Sequence, residues 1–489
     1  MTSLPQSYSR VLLLLLVLVC SFAVRGLTMR FVRDHLSDPG WFQSGTYAHF
    51  DLQAQNILDG KASMFWIDDP SRTEAAVYPP GYSLWLAFVY KVTGERSAFV
   101  VQIFQWVMDA LSVLLVVGVG TTAFGFRVGW ISGLLAALAP QLALYGVTPM
   151  ADAPTSWLVV GGVWMLLLAV RKQSVGFALG AGLLLGASCW LRANALLLAI
   201  GCAAALFLFV RSERRTRLQL SLSVALGAAI LIAPLLLRNA VTFRAFVPTG
   251  LGMGTNLWEG IGESERAAEF GAVMGDSRLV EQERKEMELP ADAPLDLYWP
   301  NGVERDRART RKALSVIAAH PVWYSGLMLH RMWGMLKFGG APLPYYGSMG
   351  INVTSQKTLP ASGQGRIFAI PVNFLGMVQS VLRWVALPLI IAGIVLGFRL
   401  DRLVMGLLLP TILYYLVIGS GLHMEIRYGL PMQALLLVFA GLTVDRLYGR
   451  MKDEGSGMKD FLLRLLPSAH CPLTTDEEKT TELSRLSRL

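Results

Sequence analysis

Runs of apolar residues long enough to cross a lipid bilayer constrain this chain more than any other feature. A hydrocarbon core about 30 Å thick needs roughly 20 apolar residues wound as helix. About ten stretches answer that description: roughly 11–29, 98–120, 128–147, 154–170, 175–191, 194–210, 218–237, 370–398, 403–420 and 429–446. Backbone groups in lipid must be satisfied internally, so these runs are expected to be helices. Composition agrees, because 54% of the 489 residues are hydrophobic and only 16% are charged. The mean hydropathy is +0.48. Soluble domains carry about 25% charged residues, so the polar surface is too small to cover a water-soluble globule. The expected fold class is an all-α polytopic membrane protein with about ten transmembrane helices, or up to about twelve.

A net charge of +9 could point to nucleic acid, but much of the excess sits in short connections between apolar runs. These carry Arg127, then Arg171 and Lys172, then Arg211, Arg214, Arg215 and Arg217, then Arg399 and Arg402, and after the last run Arg446, Arg450 and Lys452. Positive charge in alternate short loops is the orientation signal of membrane proteins. It predicts cytoplasmic N- and C-termini and no nucleic-acid partner. Arg25, Arg30 and Arg33 follow the first run on the opposite side and run against the pattern. That run has the length of a signal peptide, but no clear small-residue cleavage site follows it, and it reads as an uncleaved span. Cys20, Cys189, Cys202 and Cys471 show neither a disulfide framework nor metal-ligand spacing.

Two long segments fall on the expected non-cytoplasmic side, about 30–97 and about 238–369, within a transmembrane domain spanning 1–447. The second is strongly charged from Glu263 to Lys312. It then carries Trp323, Tyr324, Met328, Trp333 and Met335 with few charges, as a helix lying along a membrane surface would. Residues 448–489 read as a polar, loosely ordered cytoplasmic tail.

Polar residues capable of chemistry gather on that same side. The stretch Tyr47–Gly60 has helical periodicity, with Phe50, Ala54, Ile57 and Leu58 on one face, and it carries His49 and Asp51. Asp51 has two readings: a carboxylate stabilised near a helix N-terminus, or a general base for an acceptor hydroxyl. Asp109 lies within an apolar run, where an ionisable group either bonds neighbouring helices or marks a functional site. Asp152, in Pro149-Met-Ala-Asp-Ala-Pro154, either caps a helix ahead of a proline or belongs to a site. Arg192 and Arg238 end apolar runs, where they could snorkel or bind a phosphate with the forked geometry of arginine. Glu425 and Arg427, in His423-Met-Glu-Ile-Arg-Tyr428, could pair with each other or recognise a phosphate or sugar. Phosphate-cradling loops, dinucleotide turns and zinc-helix motifs are missing from the sequence.

In order and in sidedness, these pieces resemble the C-type superfamily of membrane glycosyltransferases. The branch they are most similar to is that of the protein O-mannosyltransferases and the lipid A aminoarabinose transferases. The resemblance is carried by Asp51–Gly60 continuing to Tyr78-Pro-Pro-Gly-Tyr82, by Asp152 before the fourth run, and by Arg192 between the fifth and sixth. Arg238-Asn239, with Phe246-Val-Pro248 and Gly254-Thr-Asn256, and Glu425-Ile-Arg-Tyr428 with Pro431 complete it. It covers roughly residues 10–447. In that family the first outside segment supplies an aspartate, often followed by glutamate, as catalytic base. Counting back from Ala54 and Gly60, the family's acidic position falls nearer Thr46 than Asp51, so either Asp51 serves from a shifted place or another acid, such as Asp152, takes the role.

The resemblance implies transfer of a sugar from a polyprenyl-phosphate donor to a lipid, glycan or protein acceptor, by inversion with an aspartate general base, and with Asp51 and Asp152 as the catalytic residues. It implies substrate contacts from His49, Tyr82, Arg192, Arg238, Asn239, Glu425, Arg427 and Tyr428. The activated donor supplies the energy, so no cofactor beyond it and no metal ligand set is expected; a divalent-metal requirement stays open. Membrane lipid is a further partner, and a bacterial inner membrane the expected location. A transporter, a lipid-linked glycan flippase or a polymerase is the alternative. Transporters place ionisable residues near the midplane in repeated halves, and this sequence shows no repeat.

Overall fold

The computed structural model describes residues 6–36, 46–61, 78–336, 366–423 and 426–453. By contacts the chain divides into 1–444 and 445–489. Of the second unit only 445–453 are described, so most of the expected tail lies outside the described residues, as do Met424 and Glu425.

The described residues form helices α1 (Gln6–His35), α2 (Thr46–Leu58), α3 (Gly81–Thr93), α4 (Ala98–Phe124), α5 (Phe126–Leu138), α6 (Pro140–Val147), α7 (Asp152–Lys172), α8 (Val175–Leu191) and α9 (Leu198–Phe209). They continue as α10 (Arg214–Phe243), α11 (Met253–Gly262), α12 (Ala267–Phe270), α13 (Asp276–Glu286), α14 (Gly302–Ala319), α15 (Pro321–Leu336), α16 (Arg366–Leu400), α17 (Arg402–Gly421) and α18 (Leu430–Asp453). Six helices are long and apolar enough to cross a membrane, or seven if the bent pair α5–α6 forms one span. Shorter apolar helices lie at Val175–Leu191, Ala193–Phe209 and Trp384–Leu400. Each apolar run of the sequence thus falls on apolar helix, the run 128–147 being broken into the bent pair α5–α6. This is an integral membrane protein with an all-α fold.

Helix α7 orders the bundle. Its 21 residues, at 1.5 Å per residue, separate Asp152 from Lys172 by about 30 Å, one hydrocarbon thickness. At the Lys172 end, Arg171 pairs with Asp401 at 2.8 Å, which seats the α16–α17 turn beside the α7–α8 turn. Arg10 lies over Phe126 there as well. The chain then alternates: α8 returns to the Asp152 end, α9 runs back, and α10 returns again, with Trp190 of α8 donating to the Leu231 carbonyl of α10 at 2.7 Å. Close packing depends on small residues. At Gly182, Gly186 and Gly227 an added Cβ would collide with the facing helix, so α8 and α10 run backbone against backbone, the usual device of membrane helices.

Arg25 is corrected by the structure. The residue belongs to α1 and is fully buried, and its Nε donates to Asp109 Oδ2 of α4 at 2.5 Å. It is a helix-bonding group and carries no orientation signal. Leu58 is also corrected: Phe50 and Ala54 are buried under α3, but Leu58 is exposed.

The polar stretch after α10 folds on its own core of Leu257, Trp258, Ile261, Leu279, Ala313 and Tyr324. Glu283 ties it together by pairing with Arg305 and Arg309. Helix α15 fastens this insertion to the bundle. Tyr324 donates to the Gly421 carbonyl, and Arg331 donates to the carbonyls of Gly260, Ser420 and Leu422. Its Val322, Leu329 and Trp333 remain exposed, an apolar face that agrees with a helix in contact with the membrane.

Candidate active site

Three separated connections meet at the Asp152 end. The first is the α6–α7 turn, held by α4: Gln105 donates to the Thr148 carbonyl at 2.6 Å, and Gln102 to that of Val147 at 3.0 Å. The second is the extended residue Arg192 between α8 and α9, and the third is the 3₁₀ turn Ile426–Gly429. Arg192 Nη2 donates to Asp152 Oδ2 at 2.5 Å. The guanidinium of Arg192 lies 5.2 Å from the Tyr428 ring centre, and that of Arg427 lies 5.6 Å from the same ring. Arg427 also reaches Met150 Sδ at 3.4 Å. Asp152, Arg192, Arg427 and Tyr428 therefore share one site, although 276 residues separate the first from the last in the sequence.

The capping reading of Asp152 is overturned. Ala151 occupies the cap position of α7 with no side-chain cap, and Pro154 stands two residues inside the helix. The carboxylate is drawn instead to Arg192, because a charge-assisted bond to a nearly buried guanidinium outweighs a bond to a neutral backbone amide. Arg192 takes Oδ2; Oδ1 accepts no hydrogen bond from the described residues.

Tyr82 of α3 lies against this site. It is fully buried, packs edge-on to Phe50 at 4.9 Å and donates to Gln105 Oε1 at 3.0 Å. Burial, with Tyr47 and Asp152 nearby, pushes its phenol well above the usual range, so it serves as a donor. Gly81 makes this approach possible, since a Cβ there would strike the Trp190 carbonyl.

Asp51 is saturated by other partners. Arg96 grips both its oxygens at 3.2 and 2.6 Å, Tyr90 donates at 2.8 Å and Gln55 at 3.0 Å. These bonds fasten α2 to α3 and to the start of α4. His49 is exposed, with its ring 5.9 Å from that of Tyr78. Arg238, near the end of α10, is 6% exposed and has no carboxylate partner among the described residues. It donates to Asn239 Oδ1 at 2.7 Å and lies over Phe243, with Nε left unbonded. Asn239 in turn donates to the Val247 carbonyl at 2.9 Å. Arg238 lies about 10 Å beyond Leu231 along α10, at the same end as Arg192. Glu425 lies outside the described residues.

The sequence reading missed a second polar cluster. His423 and Arg331 both pair with Glu263, and Glu259 lies buried beside them. Burial and the nearby Asp276 raise the Glu259 carboxyl to about 7. An arginine inside the largely apolar Pro321–Leu336 was the available signal. Among the described residues no group of three or more His, Cys, Asp or Glu could hold a metal ion.

Residues 77–237, about a third of the chain, match the family model of dolichyl-phosphate-mannose-protein mannosyltransferase. No curated protein matches. Among solved structures, the chain is similar to the oligosaccharyltransferase AglB of Archaeoglobus fulgidus in complex with an inhibitory peptide and a dolichol-phosphate. The identity is 13% and the TM-score 0.52, with 99% of this chain and 55% of that chain covered. The apo form of the Archaeoglobus fulgidus oligosaccharyltransferase gives 14%, 0.51, 99% and 55%. The chain shares its fold with these archaeal chains. It spans 55% of the length of the archaeal chains it matches.

Proposed function

We propose that this protein is a membrane glycosyltransferase that moves a sugar from a polyprenyl-phosphate donor to a lipid, glycan or protein acceptor on the non-cytoplasmic side. The observation that carries the proposal is the meeting of Asp152, Arg192, Arg427 and Tyr428 at the bundle end opposite Arg171, Lys172, Arg211 and Arg402. The basic end is cytoplasmic under the positive-inside rule, which turns the site outward. The dolichol-phosphate bound by the archaeal protein of the same fold supports a lipid-phosphate donor.

In this reaction the acceptor oxygen attacks the anomeric carbon, the bond from that carbon to the phosphate oxygen breaks, and the acceptor proton passes to a carboxylate. The leaving group is an anion, and guanidiniums beside it stabilise charge that grows in the transition state. Arg427 and the buried Arg238 take that role, with Asn239 holding Arg238 in place. Of the two acids, Asp152 is the better base: it offers Oδ1, whereas both oxygens of Asp51 are engaged. Asp51 positions α2, His49 faces the acceptor, and Tyr82 and Tyr428 wall the sugar. Glu425 remains a proposed sugar contact. A bacterial inner membrane with both termini cytoplasmic completes the proposal.

The test uses full-length protein in liposomes with radiolabelled polyprenyl-phosphate hexose or pentose. Asp152→Asn should lower transfer by about 10²–10⁴, the usual contribution of a positioned acid–base group. Asp51→Asn should retain more of the activity. Full activity in Asp152→Asn sinks the assignment of the base, and full activity in both variants sinks the mechanism.

A further inference from the structure

The Lys172 end holds a groove that the proposed reaction does not use. It has a volume of about 870 Å³ and lies between the end of α9, the start of α10 and the α16–α17 turn. Phe209, Phe398, Leu409 and Leu413 form its walls, and Arg211, Arg217 and Arg402 stand around it. Leu208 and Leu413 are 69% and 55% exposed, so the groove opens sideways toward lipid.

The charges around this groove are unbalanced. Arg217 donates one Nη1 bond to the Phe207 carbonyl at 3.3 Å, and its Nε is buried without a partner. Arg211, Arg402 and the nearby Glu213 form no ion pair among the described residues. Asp401, next to Arg402, is committed elsewhere: it caps α17 through the amides of Leu403 and Val404 and pairs with Arg171. Arg217 and Arg402 also lie near the N-termini of α10 and α17, where the helix dipole disfavours cations. Three guanidiniums and two positive helix ends thus face one cavity with apolar walls.

We propose that this groove binds an anionic glycerophospholipid, with its phosphate between Arg211, Arg217 and Arg402 and an acyl chain along Phe209, Leu409 and Leu413. Basic pockets between membrane helices recognise anionic headgroups in this way, and the arginine fork matches phosphate oxygens. A zwitterionic headgroup brings its own cation into the cluster and is disfavoured. The lipid joins α9 to α17 at the end remote from the Asp152 site.

The experiment is native mass spectrometry of the full chain, released from detergent after incubation with dioleoyl phosphatidylglycerol or dioleoyl phosphatidylcholine. The phosphatidylglycerol should be retained in preference, and millimolar inorganic phosphate should not displace it. The Arg211→Gln/Arg402→Gln variant should lose affinity for phosphatidylglycerol by roughly 30-fold, the attraction of two surface arginines compounded. Leu409→Trp, which fills the groove without altering charge, should weaken retention as well. Equal retention of the two lipids, or unchanged retention in either variant, overturns the site. Displacement by inorganic phosphate overturns the lipid as its occupant. Should the double variant fail to fold, Arg402→Gln alone, at an exposed position, decides the headgroup and Leu409→Trp decides the chain.

Discussion

Arg25 Nε lies 2.5 Å from Asp109 Oδ2, which joins α1 to α4 across 84 residues of sequence. The pair is surrounded. Trp157 donates to Asp109 Oδ1 at 2.6 Å, Arg25 Nη1 reaches the Ala137 carbonyl at 3.3 Å, and a Cβ at Gly146 would collide with the carboxylate. Five helices, α1, α4, α5, α6 and α7, are therefore keyed to one buried ion pair.

Removing one partner of such a pair strands the other charge in a low-dielectric site, at a cost of about 3–5 kcal/mol. Arg25→Met and Asp109→Leu should each lower the melting temperature in detergent sharply, and the double variant should melt higher than either. Additive losses in the double variant would contradict this coupling.

The Arg427 guanidinium is proposed to meet the leaving phosphate, and its geometry matters as much as its charge. Arg427→Lys should keep the fold and lower kcat by about 10²–10³, in the range of a lost oxyanion donor. Steady-state kinetics with the labelled donor measures it, and an unchanged kcat would remove Arg427 from the chemistry.

Glu259 gives the polar insertion a pH dependence. Burial is the larger cause of its rise, from the usual 4.5 to about 7, and Asp276 adds to it; Glu263 and His423 are its other charged neighbours. Between those two values the folded chain holds a proton that the unfolded chain has lost. The stabilisation is complete below about pH 4.5 and is lost as pH rises through about 7. It amounts at most to a few kcal/mol. The melting temperature should fall from pH 5 to pH 8, and Glu259→Gln should flatten that slope. An identical slope in the variant would assign it to another group.

Sidedness can be read directly. In a chain whose four cysteines are replaced by alanine, a single Cys at Asp292, on the exposed part of the insertion, should react with an impermeant maleimide added outside sealed cells. A single Cys at Lys172 should react only after permeabilisation. The reverse pattern would turn the Asp152 site to the cytoplasm.

The helices and the sorting of basic residues to one end were legible in the sequence because hydrophobic runs and loop charges are local signals. The site was half legible. Asp152, Arg192 and Arg427 were each identified alone, but nothing local says that Arg192 takes the Asp152 carboxylate from its expected capping role. Asp51 was read as a base or a dipole-stabilised acid. Apart from Gln55 one turn on, its partners Arg96 and Tyr90 lie 45 and 39 residues away, beyond any helical periodicity. Arg25 misled for the same reason, since its charge is cancelled by a residue on another helix. Glu263 passed as the start of a charged stretch and Glu259 was not singled out, because burial, which gives them their character, is conferred by α13, α15 and the chain leaving α17.

Arg331 has a mechanical consequence. A single guanidinium clasps the carbonyls of Gly260, Ser420 and Leu422, so the insertion is riveted to the strap that leads into the Arg427 turn. Anything that tugs on the insertion, such as an acceptor docking on its outer surface, is transmitted through that rivet to the residues proposed to hold the leaving group.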